Sequence, residues 1–262
     1  MNRRLGAVER DAPQVESATL DQPGDDQPLG SQWRRLGSLV RREKVLVAWL
    51  VIGLVGRGVL VHSAWGSTNS DEAVGMLMAS RAAHGQFFSL FWGGNYGGTL
   101  VTVVDGLFVR VFGLRILDFR IVDIAILVVA TVLVRLVAGR LVSAPTATAA
   151  AVLFWVAPPD WVRFSQLEYV WWVPGMCLSL GVALCCLRWN ERRTDRRLWP
   201  IGLLAGAAFW LYLPLMVLAA SPVLGVAWVL RRRPGGLIRL VALVPLGASP
   251  WLYTTFAHHF GT

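Results

Sequence analysis

Apolar residues along this chain fall into long continuous runs, separated by short polar turns rich in arginine. In a bilayer only helices and closed barrels satisfy their own backbone groups. A barrel would need alternating strands of ~10 residues, and these runs do not alternate. The pattern therefore predicts an all-α fold, a polytopic transmembrane helical bundle. The first run, over 45–65, has the ~20 residues that crossing requires, and Arg57 interrupts it toward its far end. It reads as an uncleaved anchor, because the polar leader before it is too long for a signal peptide.

Positive charge recurs at Arg135 and Arg140, in "RWNERRTDRR", and in the triple Arg at 231–233. Placing all of these in the cytoplasm fixes further spans near 120–137, 146–161 and 170–187. A tight hairpin through 200–230 and a last helix over 236–254 follow, about seven spans in all. Residues 1–44, rich in Asp, Gln, Pro and Arg, read as a disordered cytoplasmic tail, and 45–262 as the transmembrane module. Residues 66–119 then form an extracytoplasmic first loop with short interfacial helices. Within it, "TLVTVVDGLFVRVFG" carries Asp105 and Arg110. It is a poor span and a fair interfacial helix, and counting it as a span would place Arg135 and Arg140 outside.

Composition sharpens this picture in two places. The net charge of +9 raises nucleic acid as a partner, but the cations cluster beside apolar runs, where they act as topology determinants. Nucleic acid is therefore not expected. Cys177, Cys185 and Cys186 share one apolar run with no zinc or redox spacing, so neither a metal site nor a disulfide framework is predicted. The helix interiors hold few ionisable groups, Arg57 and Asp123 lying nearer the outer face, which argues against a transporter.

The candidate chemistry lies in the first loop. "STNSDEAVGMLM" predicts a helix capped by Asn69 or Ser70 and stopped at Gly85 after His84, with Asp71 and Glu72 in its first turn. Acids there interact favourably with the helix dipole and need no further role. By helical spacing Asp71 shares a face with Val74, Gly75 and Met78, which would bring its carboxylate to the bilayer boundary, suited to accept a proton from a hydroxyl. In "FFSLFWGGNYGG", Trp92 and Tyr96 stand between two Gly pairs, either as a platform for a sugar or headgroup or as an interfacial aromatic belt. "RFSQLEYVWW" brings Arg163 and Glu168 to the same outer mouth, or forms a solvated loop. His258 and His259 end the last helix as interfacial groups or phosphate contacts.

These stretches, in this order, resemble the GT-C superfamily of integral-membrane glycosyltransferases, including protein O-mannosyltransferases, lipid A aminoarabinose transferases and their bacterial homologues. The likeness rests on "SDEA" after the first helix, on "GGNYGGTL" running to "VFG" and "DFR", and on "RFSQLE", similar to an Arg-x-x-x-Leu-Asp pattern. It extends to "GLLAGAAFWLYLPLMVLAASP" and "LGASPWLYTTF". Many homologues carry an acid where this chain has Val101; Asp105 stands nearby. The resemblance implies a plasma-membrane enzyme with its N-terminus cytoplasmic, moving a sugar from a polyprenyl-phosphate donor to an extracytoplasmic acceptor by an inverting, base-assisted displacement. It implies Asp71 as catalytic base, Glu72 as its partner and Glu168 as a second acid. Arg57, Arg120 and Arg163 would neutralise the lipid phosphate, with Trp92 and Tyr96 at the substrate. No cofactor is implied beyond an optional divalent cation. The family usually continues through further helices, so the chain is expected to be incomplete at its C-terminus, with a second subunit supplying the rest. The competing expectation is a non-catalytic, lipid-binding membrane subunit.

Overall fold

The computed structural model describes residues 43–257, apart from 95, 96, 157 and 165–170. Among the described residues all regular structure is helical, and the sole pairing of extended backbone is the isolated bridge between Leu90 and Gly98. Helix α1 is Lys44–Val61, α2 Ser70–Ala83, α3 Leu100–Phe112 and α4 Ile116–Ala138. Then come α5 Ala144–Val156, α6 Pro159–Phe164, α7 Trp172–Arg192, α8 Leu198–Leu211, α9 Met216–Leu230, α10 Pro234–Gly247 and α11 Ser249–Ala257.

Four helical stretches are long and apolar enough to cross a membrane: α1, α4, α7 and Leu213–Leu230, where a 3-10 turn leads into α9. Counting α10 and α11 as one broken span, bent by 62°, makes a fifth. So four or five of the seven expected runs meet the requirement. The 13 residues of α5 and the 14 of α8 rise only ~20 Å at 1.5 Å per residue, short of a ~30 Å hydrocarbon core. Proline sets both limits. Pro158 and Pro159 follow α5, and α8 stops at Tyr212, extended at φ −158° and ψ 98°, two residues before Pro214.

Ion pairs gather the arginine-rich turns at one end. Arg135 at the end of α4 pairs at 2.6 Å with Glu43, the residue before α1. Arg140 reaches Glu191 at the end of α7, at 3.0 Å, and Arg239 on α10 reaches Asp195 in the α7–α8 turn, at 2.9 Å. The opposite end carries α2, α3 and the segment between them. There the Trp210 indole donates to the Ser89 carbonyl at 2.7 Å and the Gly98 N–H to Leu211 at 2.9 Å, while the Ser89 and Thr254 hydroxyls bond one another.

The largest core lies among α7, α8, α9 and α10, around buried Trp189, Leu198, Ile201 and Leu240. A second packs Leu127 of α4 and Trp155 of α5 against Val173 of α7. Trp155 also donates its indole N–H to the Trp49 carbonyl on α1, at 2.8 Å, locking α1 to α5.

Candidate functional site at the α2–α3–α4 junction

The first turn of α2 forms as its sequence dictates. Asn69 caps it, its side-chain oxygen accepting the Glu72 N–H at 2.7 Å. The helix closes with His84, whose ring meets the Ser80 carbonyl at 2.8 Å, and Gly85 turns the chain at φ +83°. The buried face of α2 consists of Glu72, Gly75, Met78 and Ala79. Asp71 is exposed. The expectation that Asp71 shares the docking face is thereby corrected: a rotation of ~100° per residue puts its neighbour Glu72 there instead.

Glu72 has no exposed surface and Arg120, on the first turns of α4, is 3% exposed. They meet as a two-pronged pair, Nε to Oε1 at 2.9 Å and Nη2 to Oε2 at 3.0 Å, the geometry in which guanidinium and carboxylate interact most strongly. Two more acids are buried beside them: Asp105 on α3, at 1% exposure, and Asp123 on α4, at 2%. Asp105 and Glu72 both lie near Asp123. Among the described residues no hydrogen-bond partner meets either oxygen of Asp105 or Asp123, nor the hydroxyl of Thr102 one turn before Asp105. Burial pushes the Asp105 carboxyl up to about 8, so it retains its proton at neutral pH. Among the described residues the junction thus holds three buried carboxyl groups against one buried guanidinium.

Close helix approach builds this interior. A methyl at Gly106 of α3 would stand 2.8 Å from the Ala82 side chain of α2, so the two backbones touch there. Asp105 and Thr102 lie on the same buried face of α3, with Val101 and Gly106. A helix does form over this stretch, and its acid turns inward.

The segment joining α2 to α3 is pinned to the bundle. Besides the contacts of Ser89 and Gly98 with α8 and α11, the Phe91 N–H bonds Gly97 at 2.8 Å and the Thr99 hydroxyl donates to the Phe88 carbonyl. Phe91 packs edge-on against Trp171. Trp92 stacks edge-on with Phe88, and the Arg81 guanidinium lies 5.2 Å from its ring centre. Trp92 is half-buried, with these groups against part of its ring; Tyr96 lies outside the described residues.

The expected phosphate-binding arginines separate into distinct environments. Arg57 is buried and donates to the Trp155 carbonyl at 2.9 Å, with its guanidinium 4.0 Å from the Trp155 ring centre. That places it in the α1–α5 lock. Arg120 is held by Glu72, but it also lines an apolar cleft of about 460 Å³ between α1 and α4, with His62, Leu54 and Ile124. Arg163 is exposed on α6. Glu168, His258 and His259 lie outside the described residues.

Among the described residues no group of three or more His, Cys, Asp or Glu is placed to hold a metal ion. Comparison with protein-family models, curated proteins and solved structures finds no match for this chain. The Asp105–Asp123 arrangement went unassigned in the sequence, although Thr102 and Asp105 at a spacing of three, and Arg120 and Asp123 likewise, were a signal that polar groups share a helix face in each case.

Proposed function

We propose that this chain is a GT-C-like membrane glycosyltransferase module, with Asp71 as the base that takes a proton from an extracytoplasmic acceptor hydroxyl. One observation carries the reading: of two adjacent acids, Asp71 is open to solvent while Glu72 is sealed against Arg120. A general base must come within hydrogen-bond reach of the hydroxyl it deprotonates, and only Asp71 of the two is accessible. Glu72 then acts as a positioning residue, tying the start of α2 to α4.

In this reading the arginine-rich end faces the cytoplasm of a plasma-membrane protein, the chain crosses about seven times with short α5 and α8 completing the bundle, and residues 66–119 lie outside. The apolar cleft between α1 and α4 offers a bed for part of a polyprenyl chain, with Arg120 and His62 at its polar end. The departing lipid phosphate gains charge as the sugar leaves, which guanidinium neutralises; exposed Arg163 is the arginine available to move to it.

A second reading, a non-catalytic lipid-binding subunit, is favoured by the commitment of Arg57 and Arg120 to internal partners. Reconstituted full-length chain, supplied with polyprenyl-phosphate-linked sugars and a panel of acceptors, separates the two. Transfer that falls by a factor of ~10²–10⁴ in Asp71→Asn supports the enzyme; transfer unaffected by that change removes Asp71 from the chemistry, and absence of transfer favours the subunit.

A further inference from the structure

At the arginine-rich end, far from the α2 acids, lies a second concavity of about 430 Å³ between the α7–α8 and α9–α10 turns. Four arginines line it, Arg193, Arg231, Arg232 and Arg233, along with Trp189 and Trp228. Among the described residues none of the four pairs with a carboxylate; the nearby acids Glu191 and Asp195 are taken by Arg140 and Arg239. The Arg193 guanidinium donates to the Asn190 side chain, at 3.3 Å, and the Arg231 guanidinium lies 3.5 Å from the Trp228 ring centre. Trp189 is buried in the wall behind them.

Positive charge at a membrane boundary needs no cavity if it serves topology alone. Here the cations converge on a concavity, and its wall continues into another. Trp189 and Val229 also line an apolar cleft of about 650 Å³, formed with Leu187, Val217 and Leu218 on the bundle's side. A concentrated positive site joined to an apolar cleft fits an amphiphile whose phosphate meets guanidinium and whose chains lie along the helices. We infer that this is a binding site for an anionic glycerophospholipid in the leaflet facing the arginine-rich end. The site is independent of the proposed transfer reaction.

Native mass spectrometry of the full-length chain, titrated with phosphatidylglycerol or phosphatidylcholine, tests it. The expected result is tighter retention of phosphatidylglycerol by about tenfold, lost to the phosphatidylcholine level in the triple variant Arg231→Gln, Arg232→Gln, Arg233→Gln. These side chains are exposed, so folding is retained, and circular dichroism verifies it. The matched triple variant Arg188→Gln, Arg192→Gln, Arg196→Gln removes equal charge from exposed positions at the same end and keeps the preference. Equal loss in both triples would mean diffuse attraction and overturn the site. Inorganic phosphate or pyrophosphate binding as tightly without lipid would overturn the lipid as occupant.

Discussion

Glu72 and Arg120, 48 positions apart in sequence, close a salt bridge with almost no exposed surface between α2 and α4. Neither charge has water to fall back on. Removing one partner leaves the other unpaired, at a typical cost of ~3–5 kcal/mol, whereas replacing both by apolar groups of similar volume is far milder. Arg120→Gln is therefore expected to lower the unfolding temperature in detergent sharply, and Glu72→Met with Arg120→Met to recover much of the loss. A single variant as stable as the parent would show that the pair is not buried in solution.

Asp71 stands one residue away and behaves oppositely. Exposed in a helix first turn, it contributes roughly 0.3–1 kcal/mol through the dipole. Asp71→Asn is expected to shift stability by no more than that while lowering any transfer activity by a factor of ~10²–10⁴. A large stability loss in a denaturation series would show that Asp71, too, is structural.

Asp105 supplies a pH dependence. Its carboxyl rises from the usual 3.8 to about 8 in the folded protein, so between those values the unfolded chain releases a proton that the folded chain keeps. The stability linked to this group is complete below about pH 4 and is lost as pH rises toward 8. Asp105→Asn should flatten that decline and raise stability relative to the parent above pH 8. Melting curves from pH 5 to 9 in detergent would record it; parallel pH profiles for the two proteins would contradict it.

Gly98 tests whether the α2–α3 segment is fixed. A methyl on it would lie 2.9 Å from the Leu211 Cα and from the Trp210 carbonyl, both backbone atoms with little room to yield. Gly98→Ala should cost about 1–3 kcal/mol as an overpacking change and release the segment, read as faster amide exchange over residues 86–94. Unchanged protection would mean that Leu211 does not hold it.

Hydrophobic runs made most helices legible, because long apolar stretches in a bilayer have few other solutions. The Asn69 cap and the Gly85 stop were local signals and formed as read. Two kinds of information were not local. Which of Asp71 and Glu72 faces inward depends on how α2 lies on α4, and Arg120 gives no sign in sequence of having chosen Glu72. Likewise the Gly pairs around Trp92 suit a mobile loop, yet Gly98 allows a close backbone contact that ties the segment to α8. The end of α5 was set too late for a plainer reason: apolar residues continue to Trp161, but α5 stops at Val156 before Pro158 and Pro159, where the short α6 begins.

A role for Asp71 outside the cell depends most on which end of the bundle faces the cytoplasm. Single cysteines introduced as Asp71→Cys and Arg232→Cys, with Cys177, Cys185 and Cys186 replaced by Ser, report this in intact cells through a membrane-impermeant maleimide. Position 71 is expected to label from outside, and position 232 only after permeabilisation. Labelling of 232 in intact cells with 71 protected would contradict the proposed orientation and the role of Asp71 with it.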